Sequence, residues 1–377
     1  MKWSIPLGRV FGIRIGIHIT FFLIVAWAAW LGWDYDGPMA GLWAVAMILL
    51  LFGCVILHEL GHSVVALRYG VEVSHITLLP IGGVAAMRSI PEAPRQELLI
   101  AIAGPLVNVI ILAVLVPIKG FPGWLDAPII PQSGPELVDA VIRANMILIF
   151  FNLIPAFPMD GGRMLRAILA MIFSYPTATS WAAGIGRVMA VIFVLMGLQW
   201  NPFLALIGVF IFFGAETENR MVHIKDAVRA VPVARLMRPV FVLPSTACLR
   251  DCLEAYHHQG QAHFMVDGGG GMFGLLPDRS WMDALKAYSP DESVQRFVIR
   301  RYASFRPDTP LDEVIQDIWM LDQRVIPVIT NGIVVGMLVT DDVREWIHRR
   351  QNGGKRQTTE EAPVPTGRPA RFSIDLG

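Results

Sequence analysis

The stretch GCVILHELGHSVV, residues 53–65, places His58, Glu59 and His62 in a run that otherwise reads as the inside of a membrane helix. From Gly41 to Leu67 no other side chain ionises except Cys54. Ionisable groups at membrane depth are costly, so their presence calls for a function or a partner. On a helix, positions i and i+4 share a face. His58 and His62 can therefore offer two imidazole nitrogens to one metal, with Glu59 offset beside them. H-E-x-x-H is the spacing of two zinc ligands plus a carboxylate that can deprotonate water. Zinc brings the pKa of such a water toward about 7, which makes hydroxide available at neutral pH. The plainer alternative is a helix-packing cluster satisfied by its own hydrogen bonds.

A catalytic zinc needs a third protein ligand and an open position. FFNLIPAFPMDGGRML, residues 150–165, supplies the candidate, because Asp160 is its only acid. Pro155 and Pro158 remove backbone donors and break a helix, and Gly161-Gly162 allow turns that other residues resist. Irregular backbone at membrane depth survives only where protein buries it or a watery cavity meets it. Such a broken segment could aim Asp160 at a metal, or Asp160 could cap a helix starting near Arg163.

These residues need elements to hold them. Of the 377 residues, 54% are hydrophobic. Residues 1–217 hold 11 Lys/Arg and 11 Asp/Glu, while the remaining 160 hold 20 of each, so a membrane part precedes a soluble part. Neither part has net charge, which gives nucleic acid no electrostatic footing. Six membrane spans are expected at about 16–33, 41–67, 97–117, 137–157, 180–199 and 202–215, too many apolar segments for a cleaved signal peptide. Lys2, Arg9, Arg14, Arg68, Arg88, Arg95, Arg163 and Arg166 fall on one side of this topology. The positive-inside rule then places the N-terminus and the soluble part in the cytoplasm. Arg143 and Arg187 fall inside spans. Cys54, Cys248 and Cys252 form no CxxC pair and no disulfide framework. Cys54 reads as a small buried thiol, and Cys248 and Cys252, with His257 and His258 nearby, as ordinary helix positions.

HELGH together with NLIPAFPMDGGR about 90 residues on resembles the site-2 proteases, intramembrane zinc metalloproteases whose motifs are HExxH and N-x-x-P-x-x-P-x-D-G. The resemblance also takes in FGIRIGIHITFFL, the LLPIGG loop and AGPLVN at 103–108, so nearly all of 1–217. It implies one zinc per chain on His58, His62 and Asp160, with Glu59 as general base. Asn152 matches the motif asparagine. It could hydrogen-bond the substrate carbonyl or the developing oxyanion, or it could pin the broken helix. Residues 71–87 contain Val71, Val73, Ile76 and Leu78, which suggest short strands, and Gly82-Gly83, which suggest a turn or a close backbone approach. They resemble the family's membrane-associated β-loop, whose open edge can receive an unwound substrate by β-augmentation. The alternative is a connecting hairpin. His18 and His75 have no partner at ligand spacing and read as interfacial side chains. Asn108, in span three, reads as a packing residue that could also support the site.

The soluble half repeats itself with a period of about 65 residues, each copy running strand, Pro-containing turn, amphipathic helix, strand, Gly turn, strand and closing helix. It resembles a tandem pair of cystathionine-β-synthase (CBS) domains at 230–287 and 296–350, after a polar connector at 218–229 and before a disordered tail at 351–377. Such pairs commonly bind adenosine nucleotides, and a homodimer through the pair goes with that reading. Gly336 and Asp342 fit the ribose-contacting pattern, with Val339 where a hydroxyl is expected. Asp342 could instead cap a helix beginning at Val343. The expected fold is thus a polytopic α-helical membrane protein with a small β-loop, followed by a soluble α/β CBS pair. The expected function is hydrolysis of a peptide bond in or near the transmembrane segment of a single-pass, membrane-tethered protein, in a prokaryotic cell membrane, with control from the CBS pair. An inactive sensor or scaffold and a divalent-ion transporter are the alternatives; the transporter requires a second polar cluster across the bilayer, and the sequence offers none.

Overall fold

The computed structural model describes residues 4–80, 82–87, 91–123, 130–260, 262–269, 272–321 and 323–353. The chain divides into two compact units, Met1–Val222 and His223–Gly377. Of the tail expected at 351–377, residues 354–377 lie outside the described residues, and 351–353 finish a helix.

The first unit opens on a hairpin, β1 (Ser4–Val10) and β2 (Ile13–His18). Ile13 and Ile15, two apart on β2, turn the same way and are buried. The first span, expected from residue 16, therefore starts later: residues 16–18 are strand, and the helix begins at Phe21. α1 (Phe21–Arg68) is broken where Asp36 and Gly37 leave helical geometry, and Pro38 starts the second arm. Gly37, at φ 77°, takes a conformation open to few other residues. The two arms fold back on each other. Phe21 and Phe52 have ring centroids 4.7 Å apart, whereas an unbroken helix would separate them by roughly 46 Å. β3 (Val73–Leu79) and β4 (Gly82–Met87) follow, and the sheet order is β1-β2-β3-β4, with β2 and β3 parallel and both outer pairs antiparallel. The N-terminal half of this sheet is not visible in residues 71–87 alone.

Then come α2 (Pro94–Lys119), α3 (Gly134–Leu153), α4 (Asp160–Ala170), α5 (Tyr175–Gln199) and α6 (Pro202–Ala227). Four described helices, α1, α2, α5 and α6, are long and apolar enough to cross a membrane, against six expected spans. α1 contains the second expected span and residues 21–33 of the first, and α3, where the fourth is expected, carries Glu136, Asp139 and Arg143. Exposed Ile118, Leu198 and Phe203 are among the apolar side chains these helices turn outward, as a lipid-facing surface does. Of the connector expected at 218–229, residues 218–227 are the last turns of α6. Their polarity marks the end of the apolar surface rather than the end of the helix.

The second unit comprises β5 (Val242–Leu243), α7 (Leu249–Gln259), β6 (Phe264–Asp267), β7 (Phe273–Leu276), α8 (Asp278–Ala287), α9 (Leu311–Met320), β8 (Val325–Thr330), β9 (Ile333–Val339) and α10 (Thr340–Gly353). The repeat is visible as α7-β6-β7-α8 and α9-β8-β9-α10. The start of each copy's leading segment crosses to the other copy, Arg238 bridging Met337 on β9 and Ile299 bridging Leu275 on β7, while its continuation, β5 or Phe305, pairs within its own copy. Pro232 bridges Pro310, and Cys248 bridges Ser293, in the same reciprocal way. A core of Met265, Leu275, Val325, Val334 and Met337 is shared by both copies.

Candidate metal centre

His58 and His62 project from the second arm of α1, and Asp160 opens α4; all three are buried. The Nε2 atoms of the histidines lie 3.1 Å apart. Asp160 Oδ2 is 3.2 Å from His58 Nε2 and 3.1 Å from His62 Nε2. Among the described residues this is the one cluster of three such side chains within reach of a single ion.

The hydrogen bonds behind the imidazoles say what stands in front of them. His62 Nδ1 is 2.7 Å from the Ile100 carbonyl, which can only accept. Asn108 donates through Nδ2 to Asn145 Oδ1 at 2.7 Å, which leaves its Oδ1 toward His58 Nδ1 at 2.5 Å. Asn145 is held in turn, donating to the Val141 carbonyl at 2.8 Å and to Cys54 Sγ at 3.3 Å. Both Nδ1 atoms thus donate, and each Nε2 is turned toward the centre of the cluster, from where it can ligate a metal as a neutral imidazole. Two Nε2 lone pairs and a carboxylate oxygen converging at these separations are stabilised by a cation placed between them.

Zinc suits the donor set. Bonds of about 2.0–2.1 Å at tetrahedral angles put ligand atoms about 3.3–3.4 Å apart, close to the distances present. The space is also kept clear. A Cβ on Gly104 of α2 would stand 2.1 Å from His62 Nε2 and 2.7 Å from His58 Nε2. Residues 154–159 form the break between α3 and α4, with Ile154, Ala156 and Phe157 buried. Cβ atoms on Gly161 and Gly162 would meet the Ile154 carbonyl at 2.3 Å and the Ala156 carbonyl carbon at 2.6 Å. The glycine pair therefore lets the first turn of α4 nest in that loop and carries Asp160 to the histidines.

Glu59 stays outside the cluster of His58, His62 and Asp160 and faces β4. A Cβ on Gly83 would come within 2.7 Å of Glu59 Cγ and 3.2 Å of Val55 Cγ1, so the edge strand passes directly over this carboxylate. Asn152 is not brought into the cluster; it is half-buried, and its Nδ2 donates to the Leu148 carbonyl of its own helix at 3.0 Å. His18 bonds Thr20, and His75 bonds Ser74. In the second unit Cys248 caps α7, and burial pushes the Cys252 thiol up to about 12, so it stays protonated. α10 begins at Thr340 rather than Val343, which puts Asp342 in its first turn. The Asp342 carboxylate takes both Nε and an NH2 group of Arg238 at 2.5 Å. Gly336 has a packing role: a Cβ there would lie 2.8 Å from Met237 Sδ, where the leading segment crosses.

Sequence reasoning leaves out Asn145, the Ile100 carbonyl and the blocking role of Gly104. One pattern contains most of it. Glu97, Ile100, Gly104 and Asn108 recur at helical spacing on α2, so one face of that helix runs along the site.

Long apolar helices around two buried histidines and an aspartate that could hold one metal ion, with a glutamate next to the first histidine, are an arrangement suited to a metallopeptidase. The chain belongs to Peptidase family M50, whose pattern matches residues 46–123 and 131–196 and so takes in His58, Glu59, His62 and Asp160. Zinc metalloprotease MJ0392 of Methanocaldococcus jannaschii is 44% identical over 247 residues, which is 65% of this chain and 69% of that protein. Rip3 of Mycobacterium tuberculosis, also named for zinc metalloprotease activity, is 30% identical over 92% of this chain and 93% of its own length. The solved site-2 protease from Methanocaldococcus jannaschii aligns with 58% of this chain and 96% of its own at 44% identity, with a TM-score of 0.43. The CBS-pair protein CBSX2 from Arabidopsis thaliana aligns with 32% of this chain and 96% of its own at 16% identity, with a TM-score of 0.28.

Proposed function

We propose that this family member is an intramembrane endopeptidase that cuts single-pass, membrane-tethered proteins in or near their transmembrane segment. The observation that carries the reading is the convergence of His58, His62 and Asp160 at 3.1–3.2 Å with Glu59 beside them and an edge strand above. His58, His62 and Asp160 would hold one zinc, which supplies Lewis acidity and an acidified water. Glu59 takes the proton of the attacking water and returns it to the leaving amine. A transmembrane helix hides its amides, so a scissile bond is reached only after unwinding. The free edge of β4 at Gly83 supplies backbone partners for the unwound segment and lays it across Glu59. Asn152 contacts the substrate carbonyl once its side chain leaves the Leu148 carbonyl.

The positive-inside pattern supports a cytoplasmic second unit, and its two interlocked copies support a CBS pair that regulates cleavage. An adenosine nucleotide bonded by Asp342 would have to displace Arg238 from that carboxylate.

The test is Glu59→Gln in the full chain, reconstituted with a membrane-tethered substrate. Cleavage should disappear while zinc stays near one per chain. Bound zinc with undiminished cutting rejects Glu59 as the base, and wild-type protein without zinc rejects the metal centre.

A further inference from the structure

Arg166 is a charge enclosed as deeply as its partner Glu97, and the mechanism above makes no use of it. It lies on α4 in the turn after Asp160 and is 1% exposed. Its Nε and one NH2 group donate to Glu97 Oε1 of α2 at 2.8 and 2.5 Å. The other NH2 group donates to Glu218 Oε1 of α6 at 2.6 Å. The guanidinium carbon Cζ lies 4.9 Å from the ring centroids of both Phe157 and Tyr175. Tyr175 opens α5, and its hydroxyl also reaches Glu97 Oε1 at 3.4 Å. The second oxygen of Glu97 is buried with no hydrogen bond, so that carboxylate depends on Arg166.

The placement of these contacts gives them a function. Phe157 lies three residues before Asp160, and Arg166 six after it, so the segment carrying the carboxylate is gripped at both ends. Glu97 lies one turn before Ile100, whose carbonyl orients His62, on the α2 face that continues to Gly104 and Asn108. One side chain thus ties the helix bearing the aspartate to the helix that orients both histidines. An arginine suits this position, because a planar fork can satisfy two carboxylates and stack on aromatic faces, which an ammonium cannot.

We propose that Arg166 is a positioning residue of the metal centre, setting the Asp160 carboxylate against the two imidazoles through Glu97 and Glu218. The inference rests on the zinc assignment above. Full-length protein in detergent tests it with Arg166→Lys and Glu218→Gln, read by chelator competition for zinc and by the visible absorption of the cobalt(II) form. Arg166→Lys keeps the charge and loses the fork. Its zinc Kd should rise about 10- to 100-fold, as for other residues that orient metal ligands, and the cobalt spectrum should shift. Glu218→Gln keeps the shape and is half-exposed, so it should fold like the wild type, with an unchanged melting temperature in the metal-free form, yet bind zinc several-fold more weakly. A purely structural clamp would instead lower that melting temperature and leave the metal affinity alone. If Arg166→Lys does not fold, Glu218→Gln decides. Wild-type affinity and spectrum in the variants overturn this inference alone, whereas wild-type protein that takes up no zinc overturns the metal centre with it.

Discussion

At Asn108 an amide sits fully buried in the apolar stretch 98–118 of α2, its oxygen toward His58 Nδ1 and its nitrogen donating to Asn145. Burying a polar group without partners costs on the order of 1–3 kcal/mol, and this pair of bonds removes that cost while fixing the tautomer of a ligand. Asn108→Ala should weaken zinc binding about 10- to 100-fold, measured by competition with a chelator of known affinity. An unchanged Kd would leave Asn108 a packing residue only. The amide itself is visible in AGPLVN, and so are the four residues of the site. Their partners are not, because His58, Asn108 and Asn145 come from three helices and no periodicity spans such separations. The ion pair of Glu97 and Arg166 is hidden for the same reason: on one line of sequence each looks like a charge near a span end.

Among the elements, β4 carries the most consequence for its length. Its Gly83 lies where any side chain would strike Glu59. Gly83→Val should push the strand or the carboxylate aside by about 1 Å, a displacement worth roughly 100-fold in rate at an active site. Zinc content should be unaltered, and cleavage of the tethered substrate is the readout. Full activity in this variant would remove β4 from the substrate path. The strand-forming residues at 71–78 are readable from their β-branched and apolar types, and the glycines after them from their turn chemistry. β1 and β2 are not, since only Ile19-Thr20 separate IRIGIH from the apolar FFLIVAWAAW, and a strand and a helix joined without glycine or proline between them show no turn signal at their boundary. The α1 break is legible as Asp36-Gly37-Pro38 between two apolar runs. The polar end of α6 passes for a connector because helices do not stop where their lipid contact does.

Across the whole molecule, the contrast in charge between residues 1–217 and the rest corresponds to a bundle with exposed apolar sides and a second unit with its own cores. α6 starts in the first unit and ends at Ala227, inside the second by residue number. Ile224, on its last turns, is buried in the core that also contains Val228, Leu311 and Leu338. If the second unit governs cleavage, ATP or AMP should change the rate of the full chain and have no effect on a chain ending after Ala227. Equal rates in both proteins, with and without nucleotide, would reject that control.

The exchange of leading segments between the two copies has a further consequence. Met237, Arg238, Val298 and Ile299 each complete a layer that belongs to the opposite half. Neither half is therefore self-sufficient: a cut between Ala287 and Val294 severs the joint instead of freeing two modules, and each fragment is left with a raw border that its twin had sealed.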